Sequence, residues 1–141
     1  MAPKDSDCIF CKIVAGDIPC AKVYESENCL AFLDIAPVNA GHVLVLPKGH
    51  YPTLMDIPEE LGSDLTRTLS QVGKAVMEAT GADGLNLMQN NYEAAGQLVH
   101  HAHFHLIPRF SDDGLTLWAQ SAYENSEEMT KLAAEVAGLL K

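Results

Sequence analysis

Three histidines, His101, His103 and His105, recur at every second residue of Gln97-Leu98-Val99-His100-His101-Ala102-His103-Phe104-His105-Leu106-Ile107-Pro108-Arg109. Side chains on an extended strand alternate between faces, so the three imidazoles share one side of a strand formed here. Leu98, Ala102, Phe104 and Leu106 take the opposite parity and can seat that strand on a core. His100 falls on the wrong parity and reads as structural or exposed. One half-buried strand histidine is ordinary. Three in phase are not, because each positive charge raises the cost of the next. Such a row suits metal binding or phosphate chemistry. A neutral imidazole, with an ordinary pKa of roughly 6.5, can attack phosphorus without a separate base. Near the N-terminus Cys8 and Cys11 stand three residues apart, a spacing that lets two sulfurs converge on one zinc. The other reading of that pair is two free thiols. Cys20 and Cys29 lie in other contexts and read as plain thiols.

The elements that must hold these residues follow from pattern. Residues 22–25 and 29–34 read as two short strands around a Ser-Glu-Asn turn, and 36–41 as a loop. His42 to Leu46 reads as a third strand, stopped by Pro47 and Gly49. Residues 58–80 read as a long helix: Pro58 suits its first turn and Gly81 its end. Leu61, Leu65, Leu69, Val72 and Val76 form its apolar stripe. Leu85 to Asn90 reads as a strand, as does Val99 to Ile107, ended by Pro108. A last helix near 126–140 has Asn125 and Glu128 as its cap and Met129, Leu132, Val136, Leu139 and Leu140 as its apolar side. This order predicts an α+β fold with an antiparallel sheet of about five strands, one long central helix and a C-terminal helix.

The chain has 141 residues, which predicts a single domain, 1–141, with 1–7 a loose tail and 110–141 a C-terminal extension. Apolar residues make up 48% and charged residues 20%, which argues against disorder. Nine Lys plus Arg against nineteen Asp plus Glu give a net charge of −10, which disfavours nucleic acid or an anionic membrane as partner. The longest apolar runs, such as Val43 to Pro47, are too short to span a bilayer. The N-terminus lacks the apolar core of a signal peptide, so the expected location is cytoplasmic. Phe32 and Asp34 share parity on one strand. An aromatic ring beside a carboxylate suits a nucleoside, the base on apolar groups and the carboxylate accepting from ribose hydroxyls.

His101-Ala102-His103-Phe104-His105-Leu106-Ile107 resembles the histidine triad motif of the HIT superfamily of nucleotidyl hydrolases and transferases. Further blocks resemble the family in the same order: Cys8-Ile9-Phe10-Cys11-Lys12-Ile13 with Ile18-Pro19, Ala31-Phe32-Leu33-Asp34-Ile35, Gly41 to Lys48, and Asn90 ahead of Gln97. The resemblance is strongest to the phosphoramidase, HINT-like branch of bacterial type. It implies that His103 is the nucleophile on the α-phosphorus, forming a covalent nucleotidyl-imidazole that water cleaves. A backbone carbonyl of the histidine strand would fix its tautomer. His105 would contact the phosphate and help at the leaving group, with His42 in support. Asn90, Gln97 and amides near Gly96 would hold the phosphate. Ile9, Phe10, Ile13, Phe32 and Ile35 would form the base pocket, with Asp34 on the ribose. One departure stands out: many relatives carry Ser or Thr where this chain has Leu98.

The resemblance also implies a structural zinc held by Cys8, Cys11, His50 and His101. The implied substrate is a small nucleotide, a nucleoside 5′-phosphoramidate or related mixed phosphate. The implied assembly is a homodimer that extends the sheet. Three other readings stay open on the residues alone. They are a dinucleoside polyphosphate hydrolase, a low-turnover nucleotide-binding regulator, and a zinc hydrolase with metal on His101, His103 and His105 together.

Overall fold

The computed structural model describes residues 2–140. A short helix, α1 (Ile9–Ala15), precedes everything the sequence pattern foretold. The Cys8 sulfur caps it by accepting the Cys11 N–H at 3.4 Å, and Gly16, in the left-handed region at φ 85°, closes its end. Phe10, Ile13 and Val14 recur at helical spacing and pack inward. Then come β1 (Lys22–Glu25), β2 (Cys29–Leu33), β3 (Val43–Pro47), the long helix α2 (Gly62–Thr80), β4 (Gly84–Gln89), β5 (Phe104–Arg109) and α3 (Ser126–Leu139). A single 3₁₀ turn, Glu59–Leu61, leads into α2, whose end Gly81 caps in the left-handed region.

The strands form one antiparallel sheet in the order β1-β2-β3-β5-β4. Alternation splits its side chains between two cores. Ala31, Val43, Val45, Phe104 and Leu106 meet Leu65, Val72 and Val76 of α2 on one face. Leu30, Phe32, Leu44 and Leu46 meet Phe10 of α1 on the other. Phe32 pairs with Leu44 and Leu44 with His105, so one row across three strands runs from an aromatic ring to an imidazole.

β3 runs through Pro47, paired with Cys29, instead of stopping before it, α2 starts at Gly62 rather than 58, and both ends of the histidine strand differ from expectation for physical reasons. The strand does not stop at Pro108 but runs on to Arg109. Pairing with β3 ends at Val43 opposite Leu106, and beyond it the Pro108 carbonyl accepts from Asn39 Nδ2 at 2.8 Å. The missing proline N–H therefore faces an edge without a ladder to break. At its other end the strand begins at Phe104 rather than Val99. Residues 96–103 are a loop, so strand parity fails there. Leu98, expected on the core face, is 90% exposed, whereas Ala102, Phe104 and Leu106 are buried as expected.

Asn125 caps α3 by accepting the Glu128 N–H at 2.8 Å. Its apolar residues Met129, Leu132, Val136 and Leu139 are nonetheless exposed, as are Leu117 and Trp118 before it. No helix among the described residues is long and apolar enough to cross a membrane.

Candidate functional site

Cys8, Cys11, His50 and His101 converge although they come from α1, the loop after β3 and the loop before β5. His101 Nδ1 lies 3.5 Å from the Cys8 sulfur and 3.6 Å from that of Cys11, and His50 Nδ1 lies 3.5 Å from the Cys11 sulfur. Zinc bonds of about 2.3 Å to sulfur and about 2.0 Å to nitrogen, at a tetrahedral angle, place the two ligand atoms about 3.5 Å apart. The cluster therefore fits a four-coordinate zinc site. The tautomers agree. His101 Nε2 donates to the Pro47 carbonyl at 2.8 Å, which leaves the Nδ1 lone pair toward the sulfurs. His50 is held from behind, its backbone N–H on the Pro3 carbonyl at 2.8 Å and its Nε2 3.8 Å from Asp5 Oδ2.

His103 stands beyond this cluster, with the Phe10 ring packed edge-on against both His101 and His103. Its Nδ1 donates to the carbonyl of His101 at 2.7 Å. That bond fixes the tautomer and leaves Nε2 with a free lone pair. His103 is 8% exposed, and burial pushes its pKa below the ordinary value. The ring is neutral near pH 7, as a nucleophile requires.

Asp34, His42 and His105 form a second close group, with all three ligand atoms within 4.8 Å of one another. Its hydrogen bonds make it a chain rather than a metal site. The Val38 N–H donates to His42 Nδ1 at 3.1 Å, so the neutral ring carries its proton on Nε2. That proton goes to His105 Nδ1 at 2.9 Å. His105 is left as a donor at Nε2. A cation on His42 Nε2 would have to strip the ring of its only proton. His101, His103 and His105 are likewise not gathered on one point: His101 turns to the cysteines, and His103 spends Nδ1 on a carbonyl.

Burial lowers the pKa of His42, and burial followed by the neighbouring His103 and His42 lowers that of His105 to about 4. Unfolded, the His105 ring takes up its proton near the ordinary 6.5, so between 6.5 and about 4 the unfolded state binds more protons. Stability contributed by the neutral His105 ring is complete above pH 6.5 and is lost as the pH falls toward 4, and the buried His42 ring acts in the same direction. The unfolding free energy is expected to fall across that interval by up to about 1.4 kcal/mol per pH unit for His105, and the melting temperature with it. Substituting His105 by Asn should flatten the slope in thermal melts.

His103 and His105 open into a cavity of about 520 Å³, within the range of small-molecule sites. Ile9, Phe10, Ile13, Phe32, Asp34 and Ile35 line it, together with Asn90 and Gly96. Gly96 sits in the left-handed region at φ 93°, with Asn90 Nδ2 against the place a Cβ would take. Sequence reasoning missed Ile18, Pro19, Cys20, Leu33, Leu44, Leu98 and Val99, which also line the cavity. Leu44 was legible from strand alternation; Leu98 and Val99 sit where alternation fails. Gln97 is not brought to the cavity. Its side-chain Nε2 donates to the Pro52 and Val99 carbonyls at 2.6 and 3.0 Å, and its Oε1 accepts from the Tyr92 N–H at 2.7 Å. With both amide hydrogens spent, Gln97 shapes the loop that presents Gly96. The same loop holds Tyr92 at φ 70° and ψ 159°, a strained region for a side-chain-bearing residue.

A family model described as the HIT domain matches residues 15–112. The chain belongs to the HIT family. It is similar to adenylylsulfatase HINT3 of Arabidopsis thaliana, at 40% identity over 96% of this chain and 68% of that protein. It is similar to adenosine 5′-monophosphoramidase hnt1 of Schizosaccharomyces pombe, at 42% identity over 95% of this chain and 98% of the relative. Among solved structures it resembles a zinc-bound histidine triad family protein from Mycobacterium smegmatis, at 36% identity and a TM-score of 0.74, covering 96% and 98% of the two chains. Family membership and these relatives support a nucleotide hydrolase. In this HIT chain the matched region holds both His103 and His105, whereas Cys8 and Cys11 precede it.

Proposed function

We propose that this HIT protein cleaves a nucleoside 5′-phosphoramidate, or a related mixed nucleotide phosphate, through a covalent intermediate on His103. One observation carries the reading: His103 Nδ1 is tied to the His101 carbonyl while Nε2 has no partner among the described residues and stands beside a cavity with apolar lining and one carboxylate. His103 Nε2 attacks the α-phosphorus as the bond from phosphorus to the leaving nitrogen breaks. His105 Nε2–H faces the departing nitrogen, and the proton delivered there is returned by the water that cleaves the phosphorus–His103 bond. The products are the amine and the nucleoside monophosphate. His42 acts through His105, holding it as a donor. The small residues around Gly96 let backbone amides approach the phosphate. The test is mass spectrometry of enzyme quenched during turnover of adenosine 5′-phosphoramidate. An adenylyl adduct on the His103 peptide supports the reading, and turnover without any adduct sinks it.

In this reading Asp34 holds the ribose. Its Oδ1 accepts the Ala36 N–H at 2.9 Å, a bond that asparagine can keep. Asp34→Asn is therefore expected to fold normally and to raise KM about tenfold or more, the worth of one charge-assisted hydrogen bond. A kcat loss with KM unchanged would remove Asp34 from that role.

Zinc on Cys8, Cys11, His50 and His101 is part of the proposal. Closed by four protein ligands, it would cross-link α1 to the loop before β5 and supply no activated water. A homodimer is the proposed assembly. Among the described residues β4 is an uncovered sheet edge with Leu87 exposed, and the apolar residues of α3 lack cover. Light scattering at micromolar concentration is expected to give twice the mass of one chain; a stable monomer contradicts it.

A further inference from the structure

Leu98 is 90% exposed yet lines the same cavity as His103 and His105. It reaches that cavity from the loop leading into His103, whereas the nucleoside wall is drawn from α1 and the end of β2. A nucleotide whose base lies against Phe32 and whose α-phosphorus faces His103 leaves the Leu98 flank for whatever departs. An apolar side chain in water gains from being covered, and an apolar group on the leaving nitrogen would cover this one. The charges in the cavity point the same way. Among the described residues no lysine or arginine lines it, Asp34 does, and the whole chain carries a net charge of −10. A leaving group with its own negative charge meets no counter-charge there.

We propose that Leu98 is the leaving-group selector of this enzyme, favouring uncharged, apolar amines and disfavouring carboxylate-bearing amines and sulfate. The proposal rests on the phosphoramidate reading above and adds to it the class of group released. With Leu98 assigned to the departing group, its mark is on the ratio between substrates that share one nucleoside.

The experiment compares adenosine 5′-phosphoramidates of isobutylamine and of glycine, with adenylyl sulfate and unsubstituted adenosine 5′-phosphoramidate alongside, in wild type, Leu98→Ser and Leu98→Lys. Wild type is expected to prefer the isobutylamine compound over the glycine compound by about tenfold or more in kcat/KM, the scale of one apolar contact plus an unmatched charge. Leu98→Ser should lower that ratio severalfold, to the part set by the unmatched charge alone, and Leu98→Lys should invert it and raise turnover of adenylyl sulfate. Because the ratio is taken within each enzyme, a loss of folding common to both substrates cancels. A wild-type ratio near one, or a ratio unmoved in both variants, overturns the selector while leaving the proposed reaction standing. Failure of wild type to release AMP from any of the amides overturns the reaction and the selector with it.

Discussion

Replacing His103 by alanine is expected to lower turnover by at least about a thousandfold and to abolish the nucleotidyl adduct, with the fold retained. Three features of the site set that scale. His103 is the ring whose Nδ1 proton is fixed on a carbonyl, so its Nε2 is ready to attack without a deprotonation step. His105 cannot replace it, because His42 donates to its Nδ1 and leaves a proton on the other nitrogen. His101 cannot replace it, because its Nε2 proton is on Pro47 and its Nδ1 faces two sulfurs. The side chain lost is small and next to the cavity, so the melting temperature should move by only a few degrees. Single-turnover trapping with a labelled nucleotide checks the result. A variant that keeps near-normal turnover, or that carries the label on another residue, contradicts the assignment.

Much of this arrangement was legible because it depends on local periodicity. Alternation placed Phe104 and Leu106 on a core with His105 on the other face, and His103, at the last loop position before the strand, keeps that side, with the two ring centres 5.1 Å apart. Helical spacing gave α2 its stripe, and Asn125 and Glu128 gave α3 its cap. What escaped depends on contacts between distant segments. Leu98 lies in a loop whose course is set by Gln97 bonding to Pro52, Tyr92 and Val99, and no periodic rule reports such bonds. The tautomers of His42 and His105 begin at the Val38 N–H, a backbone donor that any residue except proline would provide. Helix α1 had a readable signature in Cys8, Phe10, Ile13, Val14 and Gly16. Read as zinc-ligand spacing alone, the cysteine pair masked it. The thiol of Cys8 serves as helix cap and lies in the cysteine–histidine cluster that fits a zinc ion, so both readings describe the same atoms.

Removing the metal ligands is expected to have the second largest effect, and mainly on stability. Elemental analysis should find about one zinc per chain. Cys8→Ser or Cys11→Ser should lower that content sharply. A bound ion present at a thousand times its dissociation constant stabilises the folded chain by about 4 kcal/mol, which at this length amounts to a melting temperature lower by about 10–15 °C once it is lost. The effect should spread to the cavity along a defined route. Phe10 lies between the two cysteines in sequence and packs its ring on His101, His103 and Phe32, so freeing α1 loosens the apolar wall. His101 joins the sites a second way, since its ring faces the sulfurs while its carbonyl holds the Nδ1 proton of His103. In a chelator titration, activity should therefore decline together with the unfolding signal, and KM should rise before kcat falls. Full stability and activity in a metal-free preparation would reject the zinc site. Activity that vanishes with zinc while the melting temperature stays put would place the metal in the reaction itself, against the tautomers found for His103 and His105.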